Sequence, residues 1–166
     1  GPATVISASV RRANKKYEMT RKIPLVGMLL LSCTYGGVVA QTPQEAALEV
    51  MDNFLTAFNA RDEQAWANTL HFPHVRLASG QVTVYSTAAD FVAAMDLESF
   101  AESTGWDHSV WDTLEVVQVS PQKVHIAVTF SRYTAVGDKM ASYRSLYVVE
   151  ELNGRWGVRA RSSFAP

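Results

Sequence analysis

Lys123-Val-His-Ile-Ala-Val-Thr-Phe-Ser-Arg-Tyr133 is the stretch on which the fold turns. Val124, Ile126, Val128 and Phe130 alternate with His125, Ala127, Thr129 and Ser131, so a strand here has one apolar face and one more polar face. Turn signals frame it. Ser120-Pro121-Gln122 separates it from an earlier run, Trp106 to Val119, and Ala135-Val136-Gly137-Asp138 leads into Met140 to Glu151. Asn153-Gly154 then opens a last run, Arg155 to Phe164. Four long strands joined by tight turns predict an antiparallel meander.

Upstream of the meander the period changes to that of helices. Thr42-Pro43-Gln44-Glu45 reads as a helix start, with Thr42 as cap, Pro43 in the first turn and Glu45 closing a capping box. Ala47, Val50, Met51, Phe54, Leu55 and Phe58 follow at spacings of three and four, which predicts a long amphipathic helix. Asp62 caps a short second helix carrying Trp66 and Leu70, ended by Pro73. Two alternating runs, His74–Ala78 and Gln81–Tyr85, flank Ser79-Gly80 as a hairpin. Thr87 to Asp90 resembles a second capping box and opens a third helix expected to run on toward Phe100. Helices first and strands afterwards define an α+β class.

Residues 1–40 read differently. Met19, Arg21 and Lys22, the apolar run Ile23–Leu31 and small residues ending at Ala40 have the three-part pattern of a secretory signal peptide over residues 19–40. The apolar run falls short of the ~20 residues that span a bilayer. The expectation is export to a periplasmic or extracellular location. Leu30-Leu31-Ser32-Cys33 also resembles a lipoprotein lipobox, whereas Val38-Val39-Ala40 offers an ordinary cleavage site before Gln41, and plain secretion is the favoured reading. Lipidation at Cys33 is the one route to a membrane that this reading leaves. Residues 1–18 are read as an upstream extension without fold signal, expected to be disordered, and residues 41–166 as the domain.

The whole chain carries 15 Lys and Arg against 16 Asp and Glu. Residues 1–40 hold six of the bases and one acid, which leaves 9 bases and 15 acids in the domain. An acidic domain without a basic stripe argues against nucleic-acid binding. The single cysteine lies in the leader, so the domain has neither thiol chemistry nor a disulfide. No nucleotide loop, serine elbow or metal-ligand cluster is present, and neither cofactor nor metal is expected.

The element order, with Phe54-Leu55-Thr56-Ala57-Phe58-Asn59-Ala60-Arg61-Asp62 near the front and Asn153-Gly154-Arg155-Trp156-Gly157-Val158 before the last strand, resembles the nuclear transport factor 2-like superfamily. Ketosteroid isomerases, scytalone dehydratase, limonene epoxide hydrolase and polyketide cyclases belong to it. The resemblance implies a cone-shaped, curved antiparallel sheet wrapped around the long N-terminal helix, with two shorter helices, a pocket at the open end and frequent homodimerisation across the sheet. It specifies fold better than activity, because members use different residues for chemistry. No run here matches the acids of ketosteroid isomerases or the Asp-Arg-Asp set of limonene epoxide hydrolase. His74, His108, Tyr85 and Asp112 supply the residue types of scytalone dehydratase without its motifs.

A sheet and three helices cannot fill a cone to its wide end, and the remainder becomes a cavity lined by aromatics. Trp66, Tyr85, Trp106, Trp111, Phe130 and Tyr143 are the aromatic candidates for ligand contact, with His71 at the expected rim. Even spacing puts Trp106, His108 and Asp112 on one strand face, so His108 and His74, with Asp112, are the acid–base candidates. His71 and His74 straddle Pro73 and make a weak metal pair. The side of Arg161 stays open. Regular alternation from Trp156 and Val158 turns it to the outer side, whereas a bulge aims it into the pocket, where it suits a carboxylate. Three functions follow: a secreted domain that binds a small, largely apolar organic molecule; a cofactor-free lyase, isomerase or hydrolase; or a dimerisation or interaction module.

Overall fold

The computed structural model describes residues 40–166, and the leader expected over 19–40, with Cys33 and the extension 1–18, lies outside the described residues apart from Ala40. The described chain runs α1 (Pro43–Asn59), α2 (Glu63–Asn68), β1 (Leu70–Ala78), β2 (Gln81–Tyr85), α3 (Ala88–Ala94), α4 (Leu97–Thr104), β3 (His108–Ser120), β4 (Lys123–Tyr133), β5 (Lys139–Leu152) and β6 (Arg155–Ser163). It is an α+β fold with a curved, unclosed sheet of six strands in the order β2-β1-β6-β5-β4-β3. None of the described helices is long and apolar enough to cross a membrane.

Local chemistry accounts for the helix starts. Thr42 Oγ1 accepts from the Glu45 amide while the Glu45 carboxylate accepts from the Thr42 amide, and Thr87 and Asp90 repeat the exchange at α3. Asp62 accepts from the Ala65 amide at the start of α2. Both hairpin turns read from the sequence have two consecutive residues at positive φ, Ser79-Gly80 and Asn153-Gly154, as a tight primed turn requires.

Three expectations are corrected. The sheet is not wholly antiparallel: β1 and β6 pair in parallel, because α3 and α4 carry the chain from the β1–β2 hairpin to the far edge and the meander returns to β1 from the other side. The helix expected from Thr87 to Phe100 is two helices. Met95 leaves helical geometry, and Asp96 caps α4 by accepting from the Ser99 amide. Pro73 does not end α2. That helix stops at Thr69, and Pro73 lies inside β1, where a residue without an amide hydrogen coincides with the register shift between Leu70 and Val75.

The core lies between the inner sheet face and α1. Met51, Phe54 and Ala57 of α1 meet Val124, Ile126 and Val128 of β4, Tyr147 and Val149 of β5, and Val158 of β6. The apolar face read from β4 is buried throughout. Opposite it, the outer face keeps apolar side chains in solvent: Val82 is 68% exposed, Val84 56%, Leu77 42% and Leu146 42%.

Candidate functional site

A cavity of about 230 Å³ opens between the inner face of the sheet, α1 and the α3–α4 segment. Phe54 and Trp66 form its floor, with ring centroids 5.4 Å apart in an edge-on arrangement, and Tyr147 meets Phe54 edge-on at 5.5 Å. Trp111, Phe130 and Tyr85 complete the aromatic wall. Met95 and Leu97, at the break between α3 and α4, close one side.

Three arginines line this aromatic space: Arg76 from β1, Arg132 from β4 and Arg161 from β6. Their convergence follows from register. Arg76 and Arg161 are direct neighbours on the parallel β1–β6 pair, and Arg161 is the cross-strand partner of Tyr147. What turns Arg161 inward is a register shift. Val148 pairs with Ala160 but Val149 pairs with Val158, so Arg159 is the extra residue of a bulge and the parity of β6 flips beyond it. The question that the sequence left open is answered by that one residue.

The guanidiniums lie on aromatic faces. Arg161 Cζ is 5.4 Å from the Trp66 ring centroid and 5.7 Å from that of Phe54, and Arg132 Cζ is 5.0 Å from Phe100 and 5.1 Å from Tyr143. Cation–π contact of this kind holds a charge without consuming its hydrogen-bond donors. The Nε atoms of Arg132 and Arg161 are buried with no hydrogen-bond partner in the described structure. Burial, and then the neighbouring Arg161 charge, pushes Arg76 down from the ordinary arginine range. Burial also pushes Arg132 down, opposed by Tyr143 and reinforced by Arg161 and Arg76. Burial raises the Tyr147 hydroxyl, with the Arg161 charge acting against it, so Tyr147 is a neutral donor at ordinary pH.

Asp96 is the sole acidic side chain among the lining residues, and it is engaged elsewhere, accepting from the Ser99 amide and hydroxyl at 2.8 Å each. Those bonds hold it below the usual carboxylate range, the backbone amide first. Among the described residues, the ion pairs join Arg61 to Glu98 and Lys123 to Glu150, Asp107 is hydrogen-bonded to His108, and none of these reaches the cavity arginines.

The histidines read as acid–base candidates stand apart from this lining. His74, 1% exposed, lies behind Tyr85, with its ring stacked on the tyrosine at 6.4 Å and its Nδ1 donating to the Val158 carbonyl at 3.2 Å. Burial first, and then the Arg161 charge, lowers its pKa to about 4, so it is neutral at ordinary pH. His108 stacks on Tyr133 and its Nδ1 meets Asp107 at 2.9 Å. Asp112 instead accepts from the Ser131 hydroxyl. The common face expected for Trp106, His108 and Asp112 is not formed, because Trp106 precedes β3 and a register shift between Trp111 and Thr113 breaks the alternation at Asp112. Trp106 is buried and donates to Ser109 Oγ at 3.0 Å.

His71 is part of a wall rather than the cavity. Its Nε2 donates toward the carbonyls of Glu150 and Arg155 at 3.1 and 3.0 Å, and its Nδ1 accepts from Arg155 Nη2 at 2.8 Å. Gly157 makes room for it, since a β-carbon there would lie 2.9 Å from His71 Cδ2. Among the described residues, no three His, Cys, Asp or Glu side chains stand together as a metal set. Of the aromatic candidates, Trp66, Tyr85, Trp111 and Phe130 line the cavity, and Tyr143 supports it through Phe130 and Arg132. Arg76 and Arg132, whose side the sequence leaves as open as that of Arg161, also line the cavity, and Tyr147 is a lining residue that the sequence reading missed; the signal available was the even spacing of Arg132 from the buried Phe130 and Val128.

A curved, open α+β sheet packed on a leading helix, with an aromatic cavity on its inner face, is the architecture of nuclear transport factor 2-like proteins with a cystatin-like fold. Residues 44–163 match the family model described as NTF2-like protein (DUF6841), and the chain belongs to that family. No protein of curated function matches it by sequence. Among solved structures it is similar to an NTF2-like protein with a cystatin-like fold from Novosphingobium aromaticivorans, at TM-score 0.62 and 10% identity over 74% of this chain and 80% of that one. It is also similar to an NTF2-like protein from Cytophaga hutchinsonii, at TM-score 0.56 and 20% identity over 76% and 100%. A protein from Catenulispora acidiphila in complex with S-DNPA matches at TM-score 0.57 and 13% identity over 72% and 90%. Identities this low establish the fold alone.

Proposed function

We propose that the domain binds a small, largely apolar organic molecule in the cavity between α1 and the inner face of the sheet. The observation that carries this reading is a concave aromatic space of about 230 Å³ bounded by Phe54, Trp66, Trp111 and Tyr147. It is about half again as large as the ~150 Å³ cavity that admits benzene in an engineered protein core, and so suits a single ring with a substituent. In this reading the curved sheet forms a cone around α1, with the cavity at its wide end. The solved relative carrying S-DNPA supports a ligand-holding use of the fold. Binding is favoured over turnover because the lining carries no histidine and its one acidic side chain is capping α4.

Native mass spectrometry of the chain purified from its own host tests this directly. A retained organic molecule of roughly one-ring size is expected. A species with no added mass, together with no thermal stabilisation by any one-ring compound, would sink the reading.

Two further features belong to the proposal. Residues 19–40 act as an export signal, delivering residues 41–166 outside the cytoplasm, and N-terminal sequencing of the secreted product should begin at Gln41. Two copies associate through the outer sheet face, where Val82, Leu77, Ser162 and Leu146 are successive register partners, as are Val84, Val75, Ala160 and Val148. The two rows lie side by side and bring four exposed apolar side chains, Val82, Leu77, Leu146 and Val84, into one patch. Sedimentation should give a dimer that Leu146→Lys converts to monomer; a monomeric parent chain would discard this part.

A further inference from the structure

Among the described residues no acidic side chain pairs with the cavity arginines, and this asymmetry points to the ligand's own chemistry. Arginines within protein interiors are ordinarily matched to carboxylates, because an unmatched buried charge is costly. Here three guanidiniums converge on one small cavity in an acidic domain that has 15 Asp and Glu side chains, and the only one of these in the lining is committed to the Ser99 cap. Arg161 and Arg132 rest on the faces of Trp66, Phe54, Phe100 and Tyr143, and their buried Nε donors have no partner in the described structure. Beside them Tyr147 adds a neutral hydroxyl in register with Arg161.

Arg155 and Arg159 provide the internal control. On the same strand, Arg155 donates to the carbonyls of Asn68 and Leu70 and to His71 Nδ1, and Arg159 donates to the Phe72 carbonyl. Where this fold uses arginine as structural glue, backbone acceptors surround it. The one comparable bond in the cavity set is from Arg76 to the Pro166 backbone oxygen, and it is long, at 3.4 Å. The bulge at Arg159 thus does more than bend β6: it delivers a third positive group to a space that two others already occupy.

From this we infer that the molecule held in the cavity is an organic anion, a carboxylate on a single ring or short alkyl chain. Its head is gripped by Arg161 and Arg132 with Arg76 behind them, and its apolar body lies against Trp66, Phe54 and Trp111. The inference rests on the cavity being a binding site and adds the charge of what it binds. Planar guanidinium forks match a carboxylate with two parallel donors, and the aromatic walls exclude competing water.

The test is calorimetric titration of the full 166-residue chain with phenylacetate, its neutral isostere phenylacetamide, toluene and inorganic phosphate. Phenylacetate is expected to bind at least about tenfold more tightly than phenylacetamide, and phosphate not to compete with it. Arg161→Gln and Arg132→Gln should each erase most of that preference while keeping a cooperative thermal transition, and Arg144→Gln on the outer face should leave it intact. If either pocket variant fails to fold, the comparison of charged and neutral isosteres on the unaltered chain still decides. Equal binding of phenylacetate and phenylacetamide, or binding of toluene alone, overturns the anion while leaving the pocket standing. Preference for phosphate over phenylacetate overturns the organic ligand. No binding of any of the four defeats the pocket and the anion together.

Discussion

Arg155 and Arg161 lie six residues apart on one strand and do opposite things. Arg155, at the start of β6, is spent on the backbone: it ties Asn68, Leu70 and His71 to the last strand and fixes the crossing of β1 and β6. Arg161, beyond the bulge, touches aromatic faces and a cavity, and its buried Nε has no partner. The bonds of Arg155 hold the fold together, whereas the Nε donor of Arg161 is left without a partner. If the proposed site binds, this strand places it beside a wall that Arg155 ties to the backbone, so that stability and binding are served by different residues.

The largest effect that sharpens this contrast is on pH. His74 sits between the two regions, bonded to the Val158 carbonyl and exposed to the Arg161 charge. Its pKa is about 4 when folded, against about 6.5 in an unfolded chain. Between those values the unfolded chain binds a proton that the folded chain refuses, so stability rises with pH through this window and is lost as pH falls from about 6.5 to 4. The loss amounts to about 3 kcal/mol. Urea unfolding at pH 7 and pH 4 should show it, and His74→Gln should flatten this part of the slope.

Next comes the wall. Arg155→Met removes donors from the Leu70 carbonyl and from His71 Nδ1, and should cost about 2 kcal/mol by urea unfolding. Gly157→Ala should cost a similar amount, about 1–3 kcal/mol, because its new methyl group would push against the His71 ring, and a combined His71→Ala change should recover part of it. The smallest effect has the opposite sign. Arg132→Met replaces a half-buried charge, whose buried Nε has no partner, with an apolar side chain of similar length, and should raise stability by at most about 1 kcal/mol in the absence of added carboxylate. If Arg132→Met destabilises as much as Arg155→Met, the two regions do not differ in the way argued.

The fold was legible wherever the signal was local. The Val124–Phe130 alternation, the Ser79-Gly80 and Asn153-Gly154 turns and the Thr42 and Thr87 caps each depend on neighbours in sequence, and each stands in the structure. What the sequence reading missed depends on pairing between distant segments. The parallel contact of β1 with β6 is invisible to a pattern of tight turns, because no turn makes it. The side of Arg161 was undecidable for the same reason: a bulge is a mismatch between two strands, and Arg159 looks like any other residue of its own strand. His108 and Asp112 were aligned by counting in twos across Trp106 to Asp112, and the count fails because the strand begins only at His108 and slips at Asp112. The aromatic part of the site was easier, since Trp66, Trp111 and Phe130 were bound to be buried somewhere on the inner face. Charge placement was harder, because an arginine reads as surface until its strand partner is known.

The central claim concerns the Arg132 and Arg161 side chains, whose Nε–H groups give individual nitrogen–proton resonances when held out of solvent. Adding phenylacetate to the nitrogen-15-labelled chain should move the Arg132 and Arg161 Nε–H signals together and leave those of Arg155 and Arg159 in place, while phenylacetamide moves none of them. Cavity-arginine signals that stay fixed at saturating phenylacetate, or that shift equally with the neutral amide, would contradict the account.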